Sequence, residues 1–253
     1  FEDLPKSVID EAKLCFLDTL GCIYSAAQRS DIRDFSEKLA STTSEKNVSI
    51  IGMNDHTSLL NAAIINGTMA HTVEMDDVHK QAKSHAGAVV VPTVLTYGNY
   101  LGSSGKELLL AIVVGYETML RIGRGINATE HRLQGWHATS TCGTFGAAAS
   151  TAVLAILNED DFVHALGLAG TQSSGLWAFT ANAANSKKFH AGNASASGIL
   201  SVLLVKSGLT GANQILEAKD GGLFKASSGN YSYKQVTSDI QNEFLIEQIT
   251  RKP

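Results

Sequence analysis

The sequence predicts an all-α protein, built as one large helical bundle. Only three prolines occur, Pro5, Pro92 and Pro253, whereas glycine and alanine are abundant. Because proline interrupts a helix and alanine favours one, this composition is typical of long helices. Apolar residues also recur at helical spacing in several segments, and the alternation typical of a strand is found only over 47–52.

The first half of the chain contains three predicted helices. An apolar stripe runs over 8–23 and follows Pro5, and proline is common in the first turn of a helix. A second helix is predicted over 58–70. The third begins at the Ser-Gly-Lys-Glu of 104–107, which has the capping-box pattern of a helix start, and its apolar run extends to Ile122.

The second half is predicted to be helical as well. Small residues crowd the segment 143–155, so neighbouring helices can approach it closely, and we expect it at the centre of the bundle. An acidic pair at 160–161 opens a helix that extends to Leu168. A further helix begins near Ala194 and ends where Gly208 supplies the C′ residue.

The composition limits the partners that the protein can have. Charged residues make up only 17% of the chain, so we expect much of its surface to be covered by other protein. The net charge is -4 and no run of lysine and arginine occurs, which argues against nucleic-acid binding. No apolar stretch reaches the roughly 20 residues of a membrane span, and residues 1–6 lack the pattern of a signal peptide. A cytoplasmic protein is therefore predicted.

Three cysteines occur, Cys15, Cys22 and Cys142. Their number is odd and no Cys-x-x-Cys pair is present, which argues against a disulfide framework, a zinc site or an iron–sulfur cluster. We predict that they are small apolar core residues in a reducing compartment.

The segment 71–85 holds the densest group of ionisable side chains. They are His71, Glu74, Asp76, Asp77, His79, Lys80 and His85. If the helix of 58–70 continues, His71 and Glu74 share one of its faces. Histidines interleaved with carboxylates favour either a divalent metal site or general acid–base chemistry over a solvated acidic turn. The spacing matches no established metal motif such as His-Glu-x-x-His, so no metal is predicted.

Two further segments carry candidate groups. In Gly135–Gly143, the residues 139–141 are predicted to cap the small-residue helix, whose N-terminal amides can hold an anion, beside His137. A nucleophile formed by Cys142 and His137 lacks an evident third partner. In 186–194, two lysines and His190 precede a helix, and a lysine there can pair with a substrate carboxylate; the simpler interpretation is an exposed basic loop.

These three segments, in this order and separation, resemble the MmgE/PrpD family, which includes 2-methylcitrate dehydratase, cis-aconitate decarboxylase and iminodisuccinate epimerase. The resemblance covers essentially the whole chain. The matching blocks are Asp18–Gly21, Asn66–Asp77, His85–Pro92, Gly115–Glu117, Gly135–Gly146, Ala165–Gly170 and Lys187–Gly198.

The resemblance implies a large helical domain that carries much of an active site, with a smaller α+β lid domain that is absent from this chain. Residues 1–253 would form the helical domain, and the polar segment 219–253 would lead towards the lid. Family members are usually dimeric and generally work without a metal or an organic cofactor. We therefore expect a homodimer, no cofactor and a small carboxylic-acid substrate.

The resemblance also implies roles for particular residues. The implied catalytic residues are Glu74, Asp76, Asp77, His85 and Lys187, and the implied substrate-binding residues are His71, His137, Thr139 and His190. The family's acidic motif usually reads Asp-Phe-Asp-Asp, often followed by Thr. Here it reads Glu-Met-Asp-Asp and is followed by Val78, and Ala138 replaces a common proline. These departures leave the identity of the acid open.

The activity expected from the resemblance is that of a cofactor-free lyase similar to 2-methylcitrate dehydratase. A base would abstract a proton next to a carboxylate and water would then leave. Lys187 and His137 are expected to hold substrate carboxylates, and His85 with Asp76 or Asp77 to move protons. A decarboxylase, a dicarboxylate epimerase and a non-catalytic homologous subunit are the alternatives.

Overall fold

A computed structural model describes residues 1–240 and 242–252 of the chain, and within them it is a helical bundle. The α-helices of this part are α1 (Lys6–Ala27), α2 (Ser30–Ala40), α3 (Leu59–Ala70), α4 (Gly87–Leu101), α5 (Gly105–Gly125), α6 (Ala128–Leu133), α7 (Ala138–Leu154), α8 (Glu159–Gln172), α9 (Ser186–Lys206), α10 (Leu223–Ser227) and α11 (Lys234–Thr237). Two 3₁₀ turns, Trp177–Ala181 and Leu245–Gln248, and a hairpin of β1 (Val48–Ser49) and β2 (His56–Thr57) accompany them. The all-α prediction is confirmed.

Helix α7 lies at the centre of the bundle, where it packs against α4, α5, α8 and α9. Most of its residues are alanine, glycine, serine or threonine, and nearly all of them are buried. Small side chains let the neighbouring helix axes approach closely, so the predicted central position of 143–155 is confirmed. The strand-like pattern at 47–52 corresponds to one arm of the hairpin, which packs near α3 and α4.

Several predicted helix ends are confirmed in detail. The Ser104 side chain accepts a hydrogen bond from the Glu107 backbone N–H, and the Glu107 carboxylate accepts one from the Ser104 N–H at 2.6 Å. Gly208 is the C′ residue of α9, directly after the C-cap Ser207, with a φ of 92°, and its backbone N–H donates to the Val205 carbonyl at 2.8 Å. Helix α8 begins at Glu159, one residue before the predicted acidic pair, and the Asn158 side chain caps it.

The helix predicted over 58–70 is confirmed as α3, and it does not continue beyond Ala70. His71 is the C-cap residue, and Glu74 has a φ of 59°, which no helix contains. His71 and Glu74 therefore do not share a helix face. Outside the helix, Asp76 bonds back to His71 within the loop, and Asp77 accepts a hydrogen bond from Tyr116 on α5, so local and tertiary bonds together outweigh the preference for a helix.

Two predicted boundaries are wrong. Helix α9 begins at Ser186 rather than near Ala194, so the lysines and His190 lie in its first two turns and not in a basic loop. Gly192 is the point where α9 crosses α3. Residues 139–141 lie inside α7, whose N-cap residue His137 makes no side-chain capping bond.

The segment after α11 crosses α5 and reaches the acidic loop, which is formed by residues 71–86 between α3 and α4. Arg121 donates to the backbone carbonyls of Ser238 and Glu243, and Glu117 accepts from the Ile246 backbone N–H at 3.0 Å. Beyond this, Thr250 exchanges two backbone hydrogen bonds with Val78, of 2.8 and 2.9 Å. The described end of the chain is therefore attached to the loop that follows α3.

Other predictions have different outcomes. The three cysteines are free and buried, as predicted. Among the described residues, no helix combines the length and the apolar character that crossing a membrane requires. The homodimer, the cytoplasmic location and the boundary at residue 219 stay predictions.

The crossing of α3 and α9 generates a stability prediction. A Cβ atom added at Gly192 would lie 2.2 Å from the Ile64 backbone oxygen, so we expect Gly192→Ala to lower the free energy of unfolding by about 1–3 kcal/mol. Gly21→Ala is the matched control, because a Cβ added at this exposed position of α1 meets no atom within 4 Å. The control should be neutral or stabilising by up to about 1 kcal/mol. Urea unfolding measures both, and equal stabilities would contradict the proposed close contact.

Candidate active site

Three parts of the bundle bring their ionisable side chains together. The loop 71–86, between α3 and α4, contributes carboxylates and imidazoles. His137 lies at the start of α7, and Lys187 and His190 lie in the first two turns of α9. The segments that the sequence analysis singled out therefore meet at one place, although residues 87–185 separate the loop from the start of α9.

Asp76 is the centre of this group. Its side chain is completely buried, and its Oδ2 atom lies 2.7 Å from His71 Nδ1 and 3.3 Å from His85 Nδ1. Burial alone would raise the pKa of Asp76, but the hydrogen bond with His71 and the charges of His71, His85 and Lys252 outweigh it, so the pKa is lowered. Asp76 is therefore ionised at neutral pH. Its other oxygen, Oδ1, is buried and has no hydrogen-bond partner among the described residues.

Asp77 lies behind the site and holds the loop in place. Its carboxyl group accepts hydrogen bonds from the Gly87 backbone N–H at 3.0 Å and from the Tyr116 hydroxyl at 2.7 Å. Its backbone carbonyl accepts the Nδ1–H of His85 at 2.7 Å. Asp77 therefore orients the His85 ring through the main chain, and its carboxyl group faces Tyr116 on α5.

The histidines form a continuous row of rings. The ring centroids of His85 and His71 are 5.1 Å apart, those of His71 and His137 are 5.8 Å apart, and those of His137 and His190 are 5.2 Å apart. Burial is the main cause of the low pKa of His85, about 4, and of His137, about 2, and it also lowers the pKa of His190. These three imidazoles are therefore neutral at pH 7 and act as proton acceptors or hydrogen-bond partners.

Two lysines supply the positive charge of the site. The Lys187 ammonium group pairs with the Glu74 carboxylate. Lys252 Nζ lies 2.7 Å from the Glu74 backbone oxygen and 3.9 Å from Asp76 Oδ1. Both cations are therefore held at the edge of the acidic loop, where Glu74 occupies a left-handed conformation. Each is partly exposed, so a ligand carboxylate can approach it.

Some predicted groups have supporting positions. The Thr139 hydroxyl is completely buried and accepts a hydrogen bond from the His85 backbone N–H at 3.2 Å, so it holds the loop against α7. His79 is turned away from the site, and its Nδ1 atom accepts from the Ala82 backbone N–H at 3.1 Å. Lys80 is exposed. The dense group of 71–85 thus divides into residues that line the site and residues that shape its loop.

Sequence analysis missed Lys252 and the aromatic residues Trp177 and Phe179. Lys252 follows a polar segment with no helical pattern, and the β-bridge between Thr250 and Val78 brings it to the site. Trp177 and Phe179 lie in a 3₁₀ turn, and both rings pack against His137. An aromatic pair shortly before the two lysines is the signal in the sequence that would have pointed to them.

The buried group also has the composition of a metal site. His71, Asp76 and His85 offer one ligand atom each, all within 4.8 Å of one another. Two histidines and one carboxylate suit a divalent transition-metal ion. The same atoms are joined by imidazole–carboxylate hydrogen bonds, which is the arrangement that acid–base chemistry uses. The absence of a metal therefore stays a prediction.

Carboxylate, imidazole and ammonium groups, which can transfer protons and bind anions, thus converge at one place in the helical bundle. Residues 1–236 match the model of the MmgE/PrpD N-terminal domain, and the chain belongs to this family. The family that the sequence analysis predicted is therefore confirmed.

Curated relatives of the chain include cis-aconitate decarboxylases. A cis-aconitate decarboxylase-like protein of Aspergillus oryzae is 28% identical over 99% of this chain and 54% of its own length. The cis-aconitate decarboxylase of Aspergillus terreus is 29% identical over 88% of this chain and 46% of its own length. The human cis-aconitate decarboxylase is 30% identical over 97% of this chain and 51% of its own length. The chain thus spans about half the length of the relatives it matches.

The environment of Asp77 generates a prediction about pH. Burial, as the largest effect, raises the pKa of its carboxyl group to about 7, from an ordinary value of 3.8. Between these values the folded protein keeps a proton that the unfolded chain has lost, so stability falls as the pH rises through this window. The fall from this one group is at most about 1.4 kcal/mol per pH unit.

Asp77→Asn removes the titrating group and keeps its shape. We expect the free energy of unfolding of the variant to fall less steeply than that of the wild type between about pH 4 and pH 7, because only the wild type loses a proton there. Urea unfolding at several pH values measures both slopes. The comparison isolates Asp77, since the other titrating groups are common to both proteins. Parallel curves would show that Asp77 is ionised throughout.

Proposed function

We propose that this chain carries the acid–base site of a cofactor-free lyase that acts on a small di- or tricarboxylic acid. One observation supports the proposal above all. The buried Asp76 carboxylate contacts the imidazoles of His71 and His85, and the ammonium groups of Lys187 and Lys252 lie at the edge of the acidic loop. Ammonium groups neutralise substrate carboxylates, and imidazoles beside a carboxylate transfer protons. The names of the family relatives support the same class of substrate.

The proposed chemistry passes through a carbanion next to a carboxylate. Its charge spreads onto the carboxylate oxygens, so cations that contact those oxygens lower the barrier. Lys187 and Lys252 are the proposed cations. Glu74 holds Lys187 in the structure, and a substrate carboxylate would compete with Glu74 for it.

His85 is the proposed proton carrier. Its Nδ1–H is directed to the Asp77 carbonyl and lies near Asp76, so Nε2 is the atom left to accept a proton. The His85 ring is 16% exposed, whereas the His71 ring is completely buried, so His85 is the imidazole that a substrate can reach. The low pKa of His85 makes it a weak base in the free protein, and the negative charge of a bound substrate would raise that pKa towards neutrality.

Loss of carbon dioxide from a cis-aconitate-type acid is the first candidate reaction, because the curated relatives bear that name. The bond to one carboxylate breaks and its electron pair moves into the unsaturated acid that remains. His85, after it has taken a proton from solvent, delivers that proton to carbon. Loss of water from a 2-methylcitrate-type acid is the second candidate. It requires a base for the C–H proton and an acid for the leaving hydroxyl. His85 takes the C–H proton and, once protonated beside the buried Asp76 carboxylate, donates it to the leaving hydroxyl.

Proton NMR in D₂O tests the reaction. The complete gene product that contains this chain is incubated with EDTA and, in turn, with cis-aconitate, 2-methylcitrate and small dicarboxylates. We expect turnover without added metal, because acid–base groups and lysines suffice for this chemistry. A decarboxylated olefin identifies the first candidate and a dehydrated olefin the second.

Other results would change the proposal. Deuterium that enters next to a carboxylate without a new product would indicate an epimerase. Activity that returns only when a divalent ion is restored would replace the acid–base proposal with a metal site at His71, Asp76 and His85. No reaction with any of these acids would contradict the lyase proposal.

A pair of lysine variants tests the binding of the substrate carboxylate. We expect Lys187→Ala to lower kcat/KM by about 30- to 1000-fold, which corresponds to roughly 2–4 kcal/mol of lost transition-state stabilisation. Lys188→Ala is the matched control. The Lys188 side chain is 20% exposed, close to the 23% of Lys187. Its ammonium group lies 3.6 Å from the Asp31 carboxylate of α2, whereas that of Lys187 pairs with Glu74. Equal activity of the two variants would remove Lys187 from the site.

A further inference from the structure

An aromatic wall, formed by Trp177 and Phe179, borders the histidine row on the side of His137. The Trp177 ring meets His137 edge-on, with centroids 5.1 Å apart, and Phe179 meets it in the same manner at 5.9 Å. Phe179 also contacts His190 at 5.7 Å, and the two aromatic rings are 5.0 Å apart. The two aromatic rings and the two imidazoles thus form one cluster. Trp177 and Phe179 are only half-buried.

The aromatic wall is held by specific contacts. The Trp177 backbone N–H donates to the Gly135 carbonyl at 2.8 Å, and the His137 N–H donates to the Gly175 carbonyl at 3.0 Å. The Arg132 guanidinium lies 4.0 Å from the centroid of the Trp177 ring, close enough for a cation–π interaction. Gly175 has a φ of 117°, and a Cβ atom there would lie 2.6 Å from Ser140 Cβ. The turn is therefore pinned to the start of α7 at two backbone positions.

The site consequently has two regions of different chemistry. At the acidic loop, Lys187, Lys252 and Glu74 carry full charges. At the start of α7, the neutral His137 and His190 face the two aromatic rings, and the Arg132 guanidinium covers one face of Trp177. A carboxylate gains from contact with the lysines, whereas an alkyl or olefinic group gains from contact with the uncovered parts of the rings. A ligand that satisfies both regions is a carboxylic acid with an apolar substituent.

We propose that Trp177 is a specificity-determining residue, which selects acids bearing an apolar substituent next to the carboxylate that the lysines hold. This inference rests on the proposed function and deepens it, because it defines the part of the acid that is not a carboxylate. The ring is only half-buried, so part of it stays accessible to a ligand. Selection acts on binding, so unreactive acids report on it.

The test compares succinate with 2-ethylsuccinate, which differ by one apolar group and undergo no elimination. Dissociation constants are measured by ligand-observed NMR on the complete gene product. We expect wild-type protein to bind 2-ethylsuccinate about tenfold more tightly than succinate, a preference typical of one small apolar group in a pocket. Trp177→Ala should reduce that preference to about twofold or less, and Trp177→Phe, which keeps an aromatic ring, should retain most of it.

Controls separate the possible failures. Tyr100→Ala removes another exposed aromatic ring, in the last turn of α4, and should leave the preference unchanged. An unchanged preference in Trp177→Ala, with succinate still bound, would overturn the role of Trp177 and leave the proposed function standing. A wild-type protein that binds neither acid would overturn both. The Trp177→Phe variant shows whether a loss in Trp177→Ala comes from the missing ring or from a disturbed turn.

Discussion

The buried charge of Asp76 is the constraint on which the rest of the site depends. An ionised carboxylate loses its hydration when it is buried, and the loss must be offset by charged or hydrogen-bonding partners. His71 follows α3, His85 precedes α4 and Lys252 comes from the end of the described chain. One buried charge thus draws together the two ends of the loop 71–86 and the end of the described chain.

Helix packing decides which groups can reach that charge. The α3–α9 crossing at Gly67 and Gly192 leaves no room for a side chain on either helix, since a Cβ atom at Gly67 would lie 2.7 Å from Gly192 Cα. This close approach brings the first turns of α9 beside the end of α3, so that Lys187 reaches Glu74. The small residues of α7 serve the same purpose for His137, whose ring stacks on His71. Small residues in the core therefore position large polar residues at the site.

The predictions from sequence succeed where the signal is local or belongs to the family. The capping box of α5 and the glycine after α9 are short-range patterns, and the structure contains both. The predicted site segments also meet, because their order and separation match a family with one fold. The predictions fail where tertiary contacts decide: Glu74 adopts a left-handed conformation, and Lys252 reaches the site only through the bridge between Val78 and Thr250. No periodic pattern in the sequence indicates that Lys252 lies beside the loop 71–86.

The neutral state of the imidazoles links binding to chemistry. Burial disfavours the charged form of His85 in the free protein, where Asp76 is the anion beside it. In the proposed function, a bound dicarboxylate would add negative charge near Lys187 and Lys252, and each added anion favours protonation of a nearby imidazole. His85 would then become a stronger base only when substrate is present. Desolvation lowers the pKa of His85 in the free protein. The same desolvation would make that pKa respond to the charge of a bound substrate, because charges interact more strongly in a site from which water is excluded.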